Sequence, residues 1–537
     1  MARLSSGKMR LAAMDLDTQP GTGGNQAGGS AVAPEPRAEP LPVPPPDRPV
    51  TGDRLHNMLG LVTVAWVFGN VWYVTITGAP FALFTLAMKP SPFEIGLISA
   101  IPYMAALVSI PGSLLIERTG QRKRIFFFGL YFQRGIWILL ALWPLWLVSR
   151  YGPEAAPAAL WFFIPAFFLM HAGNAVGGPA WVSWMADVVP HRTRGKYFAR
   201  RRMWALLLAI PAAWFVGWLL DKQVGRGSDV VLTMRWCAMI FVAAAIFGLL
   251  DIAAFHFVPI TPQAPRKGAG LLKAMAGPLK DKQYLWFAGY VATLMFAVVP
   301  IQQQFYQFFL IEKVGITSRS VQVMMLVLPA LVQLLLIPVW GRAADRMGKR
   351  PLLIMATLGL VPIGLGWVFV DKDTAWLGYL LAALGVALWS GVDLVNFNFV
   401  LEMSSSKSAK DGTGRVGGTA YHAVNSVILN VAALTGGLAW GAIAQYLKDW
   451  HWTPIAGWKT LGNYEVLFVL SGVLRLAAVA IFLPRIIEPA ARPTFEAIRF
   501  MGANIYNNVT NVITQPLRLI RARKIDRRTK RAMRRAA

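Results

Sequence analysis

Long apolar stretches separated by short polar breaks follow one another along most of the chain. Each stretch has about the 20 residues that an α-helix needs to cross the hydrocarbon core of a bilayer. Long runs of this kind are typical of helices rather than of the alternating strands of a β-barrel. The pattern therefore predicts twelve membrane-spanning helices. We place them at residues 57–86, 93–116, 124–149, 158–187, 203–220, 231–258, 284–311, 319–340, 351–370, 375–401, 416–446 and 462–484.

The polar breaks also predict how the chain is divided. The longest of them separates six spans from six, which suggests two halves of equal size. The opening segment is rich in Pro, Gly and Ala and lacks an apolar run long enough for a secretory signal. We read it as a disordered cytoplasmic tail. The predicted regions are the N-terminal tail 1–54, the N-terminal six-helix bundle 55–258, the cytoplasmic central linker 259–283, the C-terminal six-helix bundle 284–484 and the basic C-terminal tail 485–537.

Composition supports the membrane assignment. Of 537 residues, 55% are hydrophobic and only 15% are charged, which is too few for a soluble protein of this size. Cys237 is the single cysteine, so an intramolecular disulfide is excluded and no thiol pattern for a metal appears. The sequence also lacks a phosphate-binding Gly-Lys-Ser/Thr loop and a catalytic constellation. We expect no enzyme activity, no cofactor and no metal.

Positive charge is distributed unevenly between the breaks. Lys and Arg gather after the even-numbered spans, whereas the breaks after the odd-numbered spans are poor in them. Cytoplasmic loops carry such an excess, so we expect the even loops and both termini in the cytoplasm. This accounts for much of the formal charge of +27 without nucleic acid. We expect a monomeric integral membrane protein of the plasma (inner) membrane.

A short motif recurs in the breaks after the second and eighth spans. Both copies read acid, Arg, any residue, Gly, followed by basic residues, and the second copy lies in GRAADRMGKR, which begins at Gly341. A second pair of signals follows the fourth span, in DVVPHRTRG, and more loosely the tenth, at Glu402. The motif residues are Glu117, Arg118 and Gly120 in the first copy, Gly341, Asp345, Arg346 and Gly348 in the second, and Asp187 and Arg194 after the fourth span.

These motifs resemble those of the major facilitator superfamily of secondary transporters. The stretch from Gly341 fits that family's Gly-x-x-x-Asp-Arg-x-Gly-basic-basic signature at every position, whereas the first copy has Ser113 for Gly and Glu117 for Asp. The resemblance covers roughly residues 55–485. It implies an all-α integral membrane fold, with twelve transmembrane helices in two pseudo-symmetric six-helix bundles. It also implies transport of a small solute by alternating access between the two halves.

The motif residues have two interpretations. An acid just beyond a helix can accept hydrogen bonds from backbone N–H groups and pair with Arg, and Gly permits positive φ or close helix approach. Nine motif residues, from Glu117 to Gly348, would then form a cytoplasmic gate that latches the halves in one state. Alternatively, the charges only fix the topology. That rule counts Lys and Arg alone and does not require the acid and the glycine.

Polar side chains at membrane depth are functional candidates, because each costs several kcal/mol unless it is paired or wetted. In the resembled family the first, fourth, seventh and tenth spans line the central cavity, and polar residues of this chain gather in those spans. The candidate cavity residues are Asn70, Tyr73, His171, Asn174, Gln303, Asp393 and Asn396.

Four of the polar side chains leave alternatives open. Asp393 is a candidate proton or cation site, or else a structural hydrogen-bond partner. His171 either relays protons or packs with a hydrogen bond. Arg134, about ten residues into the third span, meets an anionic substrate or pairs with an acid of a neighbouring helix. Arg475 receives the same two readings with less functional weight, because the twelfth span usually lies outside the cavity in the resembled family.

The sequence favours a secondary transporter, for which proton coupling is one option, over its main rival, a transporter-like sensor or membrane assembly scaffold. A scaffold would not need polar side chains in spans that face each other. The expected partners are a small-molecule substrate and the lipid bilayer. The segment from Arg518 onward is strongly basic, so it either binds anionic lipids or remains solvated. Neither the solute nor the direction of transport follows from the sequence.

Overall fold

The structure is a computed structural model that describes residues 52–190, 194–225, 227–259, 275–301, 303–410, 415–454, 459–488, 491–506 and 510. Three predicted regions fall largely outside these ranges. They are the N-terminal tail up to residue 51, residues 260–274 of the central linker, and the basic C-terminal segment after residue 510.

Twelve helical spans in the described residues are long and apolar enough to cross a membrane, which confirms the predicted number. Some spans consist of more than one helical segment. In span order, the helices are Gly52–Ile76 with Ala79–Ala87, Pro92–Ala106 with Ser109–Thr119, Arg122–Tyr151, Ala156–Val188, Arg194–Gln223, Val230–Ala254, Lys282–Val298 with Gln303–Phe308 and the π-helical Phe309–Val314, Ser318–Gln322 with the π-helical Val323–Val327 and Leu328–Met347, Arg350–Gly366, Ala375–Lys410, Arg415–Tyr446, and Asn463–Phe482. Residues 494–506 form a further helix.

Local sequence signals explain where several spans begin. Ser91 and Glu94 form a capping box at the start of the second span, and Pro92 takes the first helical position, where no N–H is needed. Asp281 caps the seventh span by accepting a hydrogen bond from the Gln283 backbone N–H at 3.1 Å. Such caps satisfy backbone donors that would otherwise be left without partners at a helix end.

Two ends of the bundle are distinguished by their loops. We call the end that carries the loops after the even-numbered spans, including Gly120 and Gly348, the basic end, and the other the opposite end. Gly120 ends the second span in the left-handed conformation at φ 66°, and Gly348 has φ 88°. Residues other than glycine rarely adopt positive φ angles, so glycine suits both of these positions.

The predicted first span is not one continuous helix but is broken after Ile76, toward the opposite end. Gly78 has φ 74° between the helices Gly52–Ile76 and Ala79–Ala87, and Gln322 of the eighth span fills the break. The amide oxygen of Gln322 accepts from the Ala79 N–H at 3.3 Å, and its nitrogen donates to the Val74 carbonyl at 3.3 Å. Because Gln322 is fully buried, its two hydrogen bonds join the halves and give partners to backbone groups of the first span that are shielded from water.

Two more contacts join the halves at the opposite end. The second and eleventh spans touch backbone to backbone, since a Cβ on Gly96 would lie 2.5 Å from the Gly437 carbonyl oxygen. The Asp221 carboxylate, at the end of the fifth span, accepts from the N–H groups of Ser318 at 2.6 Å and Arg319 at 3.1 Å. A carboxylate at a helix N-terminus is stabilised by the free N–H groups there. The halves are therefore closed against each other at this end.

Candidate functional site

A cavity of about 480 Å³ lies between the first span and the C-terminal half. Its lining comes from six spans: the first, seventh, eighth, ninth, tenth and twelfth. Most of the wall is apolar, with Met, Leu, Ile and Trp side chains, and the polar side chains are few. This composition is typical of small-molecule sites, which combine an apolar wall with a few orienting polar groups. Those polar side chains are Tyr73, Thr77, Tyr306, Gln307, Gln333, Asp393 and Arg475.

A second cavity of about 340 Å³ adjoins the first across the first and eighth spans. Tyr73 and Gln333 line both cavities, and Asn70 and Arg202 line the second. Arg202, at the start of the fifth span, donates to the Gln333 amide oxygen at 2.9 Å. A hydrogen bond between the fifth and eighth spans thus borders the cavities where the two halves meet.

Asp393 is exposed to the first cavity. Trp389, one turn earlier on the same helix, lines the same cavity. Tyr73 faces this cavity from the first span and is 51% exposed. The structure thus brings together an acid and a phenol that the sequence placed in different halves.

Other predicted cavity residues lie elsewhere. His171 packs edge-on against the Phe167 ring at 4.6 Å, and neither His171 nor the exposed Asn174 lines the two cavities. Asn396 is half-buried one turn beyond Asp393 and lines neither cavity. The Gln303 side chain falls outside the described part of the chain. Roles for these residues in solute binding remain predictions.

Arg134 is buried in the core of the N-terminal half. Its guanidinium pairs with Asp251 of the sixth span at 3.4 Å, and its Nη1 donates to the Gln133 amide oxygen at 2.6 Å. The guanidinium also lies 3.5 Å from the centre of the Trp72 ring. This arrangement compensates the charge by an ion pair and by a cation–π contact, and it fixes the first span beside the cavity.

The gate residues take part in ion pairs and hydrogen bonds at the basic end. Asp187, which ends the fourth span, pairs with Arg122 at the start of the third. In the other half, Glu402 of the tenth span pairs with Lys349 beside the start of the ninth. The two pairs occupy corresponding places in the halves, which supports the repeat seen in the sequence. Each of these pairs joins residues of one half.

The remaining gate residues contact their own half or the segment that follows the twelfth span. Arg194 donates to the carbonyls of Ala186 and Val189. Arg346 lies 5.7 Å from the centre of the Phe500 ring. Gly348 is tightly packed, because a Cβ there would lie 2.9 Å from the Ala491 Cα. The other motif residues lie at the ends of two spans: Glu117 and Arg118 in the second, and Gly341 and the exposed Asp345 in the eighth.

Sequence reasoning missed several residues that the structure places at the cavity or between the halves. Gln322, Asp221 and Gln333 carry the contacts between halves, and Tyr306 and Gln307 line the first cavity. Their signal was present but weak, since each is a polar residue within or at the edge of an apolar run. Within the described residues, no group of three His, Cys, Asp or Glu side chains could hold a metal ion.

Solved structures with a similar fold are transporters. A bacterial homologue of the iron transporter ferroportin in an inward-facing state has a TM-score of 0.58 at 12% identity, with 81% of this chain and 100% of that chain covered. A nucleoside transporter has a TM-score of 0.57 at 12% identity, with 80% of this chain and 99% of that chain covered. A D-xylose–proton symporter has a TM-score of 0.56 at 13% identity, with 81% of this chain and 98% of that chain covered. No curated protein sequence matches.

The sequence profile of the Major Facilitator Superfamily matches residues 61–429. This range covers more than half of the chain and runs from the first span into the eleventh. The profile, the twelve spans and the repeated motifs agree. The chain therefore belongs to the Major Facilitator Superfamily, as an integral membrane protein of the secondary-transporter class.

Proposed function

We propose that the protein carries its solute by alternating access, with the two adjoining cavities as the solute site and the basic end in the cytoplasm. One observation carries the proposal. The contacts between halves that involve Gln322, Gly96 and Asp221 gather at the opposite end, whereas the Arg122–Asp187 and Lys349–Glu402 pairs each stay within one half. This is the arrangement expected of a state that is closed outside and released inside.

The gate follows from the same observation. In the other state, the basic end would close and the opposite end would separate. The acid–arginine turns at Glu117 and Asp345 lie where the halves would then meet, so we assign them as latches of that state. A latch of this kind needs to contribute only about 1–3 kcal/mol to shift the balance between states.

Asp393 is the proposed proton-coupling residue. It is exposed to the cavity, so a proton and a solute can reach it from the same space. The other charged or titratable side chains lining this cavity are Tyr73 of the first span, Tyr306 of the seventh and Arg475 of the twelfth. Protonation of Asp393 would remove its negative charge from the cavity between the spans, and that change would favour one state of the transporter.

The proposal also covers the oligomeric state, the membrane and the lipid contacts of the protein. We expect a monomer in the plasma (inner) membrane with both termini in the cytoplasm, because Lys and Arg follow the even-numbered spans. The basic segment from Arg518 lies outside the described residues. Its binding to anionic lipids remains a prediction from charge alone.

Flux in reconstituted vesicles tests the proposal. Purified protein in lipid vesicles is assayed for uptake and efflux of a panel of small solutes, with and without a pH gradient, against protein-free vesicles. We expect at least one solute to move, faster when the gradient is imposed. A folded protein that moves no solute in either direction would favour the sensor or scaffold.

A further inference from the structure

Arg475 is a buried arginine that lines the solute cavity. It lies midway along the twelfth span, is 2% exposed, and reaches between the ninth and seventh spans. Its Nη1 donates to the Leu360 carbonyl oxygen at 2.9 Å. A Cβ on Gly364 would lie 3.0 Å from this Nη1, so a glycine makes the space that the guanidinium occupies.

The charge of Arg475 is left uncompensated, in contrast to that of Arg134. Arg134 has the Asp251 carboxylate, the Gln133 amide and the Trp72 ring around it. The Nε atoms of both arginines have no hydrogen-bond partner, but among the described residues no carboxylate forms an ion pair with Arg475. A buried cation without a counter-ion is strongly unfavourable at membrane depth. The twelfth span therefore carries a buried positive charge that the hydrogen bond to the neutral Leu360 carbonyl does not balance.

Two residues that line the same cavity also carry orphan polar atoms. The Tyr306 hydroxyl and the Gln307 amide oxygen are buried and have no hydrogen-bond partner in the described part of the chain. Buried polar atoms are nearly always paired in folded proteins, so each unpaired one is unfavourable. The Arg475 Nε–H and the Tyr306 O–H are both donors, and they indicate a missing partner that accepts from the two, whereas the Gln307 oxygen needs a donor.

We propose that Arg475 binds the carboxylate of the solute, and that the solute is a monocarboxylate with a compact apolar body. This rests on the proposed function, because it names the ligand class of that cavity. A planar guanidinium matches a carboxylate in shape and charge. The Tyr306 O–H donates to the same carboxylate, and Met324, Leu360 and Trp367 in the wall receive the apolar body.

The charges in the cavity favour one carboxylate over a more highly charged group. In the first cavity, Arg475 supplies one positive charge and Asp393 faces it, while Arg202 lines the second cavity and donates to Gln333. A dianion such as phosphate would leave excess negative charge in a poorly hydrated space, where repulsion is strong. A monocarboxylate binds with Asp393 protonated, and the solute and proton then travel together as a neutral pair.

Matched pairs of acid and amide test the assignment. The probes are hexanoate, benzoate and phenylacetate with hexanamide, benzamide and phenylacetamide, and binding to the full chain in nanodiscs is measured by calorimetry. We expect the wild type to bind at least one acid about tenfold or more tightly than its amide, since a charged hydrogen bond contributes about 1.5–3 kcal/mol. If no acid binds, or acids and amides bind equally, the assignment is wrong.

Variants then locate the contact. Arg475→Gln should abolish the preference for acids, and Tyr306→Phe should weaken acid binding about tenfold without affecting amides. Arg485→Gln, ten residues further at the end of the same span, is the matched control and should bind as the wild type does. A folded Arg475→Gln protein that keeps the preference would overturn the assignment. If that variant does not fold, unchanged binding by Tyr306→Phe would do so.

The outcome is separable from that of the flux assay. Flux of a neutral solute together with equal binding of acids and amides would remove the carboxylate site and leave transport intact. Acid binding that depends on Arg475, together with no flux of any solute in the vesicle assay, would keep the carboxylate site and overturn the transport proposal.

Discussion

Replacing Asp393 with asparagine is expected to abolish accumulation of solute driven by a pH gradient. Asparagine keeps the shape of the side chain and can hydrogen-bond, but it cannot take up and release a proton. When one proton crosses with each solute anion as a neutral pair, a gradient of one pH unit supports about tenfold accumulation of the anion. In vesicles with this gradient, the ratio for the wild type should approach that value, whereas the ratio for Asp393→Asn should stay near one.

Exchange of labelled for unlabelled solute distinguishes coupling from folding. Exchange needs solute binding and movement of the halves but no net proton transfer, so Asp393→Asn should retain it. Asp373→Asn makes the same chemical change at an exposed position in the loop after the ninth span, and should accumulate solute as the wild type does. Undiminished accumulation by Asp393→Asn would remove this residue from the coupling role.

Replacing Asp251 with alanine is expected to destabilise the protein by about 3–5 kcal/mol. The change leaves Arg134 as an unpaired charge in a site that is closed to water, since the two side chains are 8% and 7% exposed. It also leaves a void beside Gly69, where a Cβ would lie 2.4 Å from the Asp251 carboxylate oxygen. Unfolding by sodium dodecyl sulfate in mixed micelles, followed by tryptophan fluorescence, measures the free energy.

A charge-free core should recover much of this loss. The double variant Arg134→Met, Asp251→Leu removes both charges and restores apolar packing, so it should be more stable than Asp251→Ala alone. Glu496→Ala is the control, because it removes an exposed ion pair with Arg492 and should cost only a few tenths of a kcal/mol. A double variant as unstable as the single one would show that the loss does not come from the unpaired charge.

The spans could be predicted because lipid imposes a length and a composition on each helix. Helical segments that extend beyond the lipid could not be predicted in the same way. The tenth helix continues to Lys410, nine residues past the predicted end, through the mostly polar sequence EMSSSKSAK. The break at Gly78 was hidden as well, because its partner Gln322 is far away in the chain and only the fold brings the two together.

The candidate site was predictable in its ingredients rather than its arrangement. Asp393 and Tyr73 drew attention because polar groups are costly at membrane depth, and both line the cavity. The same reasoning found Arg134 and Arg475 equally but could not tell them apart. Only the packing gives Arg134 a carboxylate partner and turns Arg475 toward the cavity. Depth in the membrane follows from sequence position, whereas the direction of a side chain depends on the neighbouring helices.

Distances across the two ends of the bundle test alternating access most directly. The native cysteine is buried and single, so Cys237→Ala gives a background free of thiols. Spin labels are placed at exposed positions in the two halves, Thr119 with Arg342 at the basic end and Lys89 with Lys448 at the opposite end. Pulsed dipolar spectroscopy in nanodiscs then reports both distances as pH and solute are varied.

The proposed motion predicts opposite changes. When the first distance shortens, the second should lengthen, because closing the basic end separates the contacts around Gln322, Gly96 and Asp221. Two distances that stay fixed under every condition, or that lengthen and shorten together, would contradict rocking of the halves about the cavity.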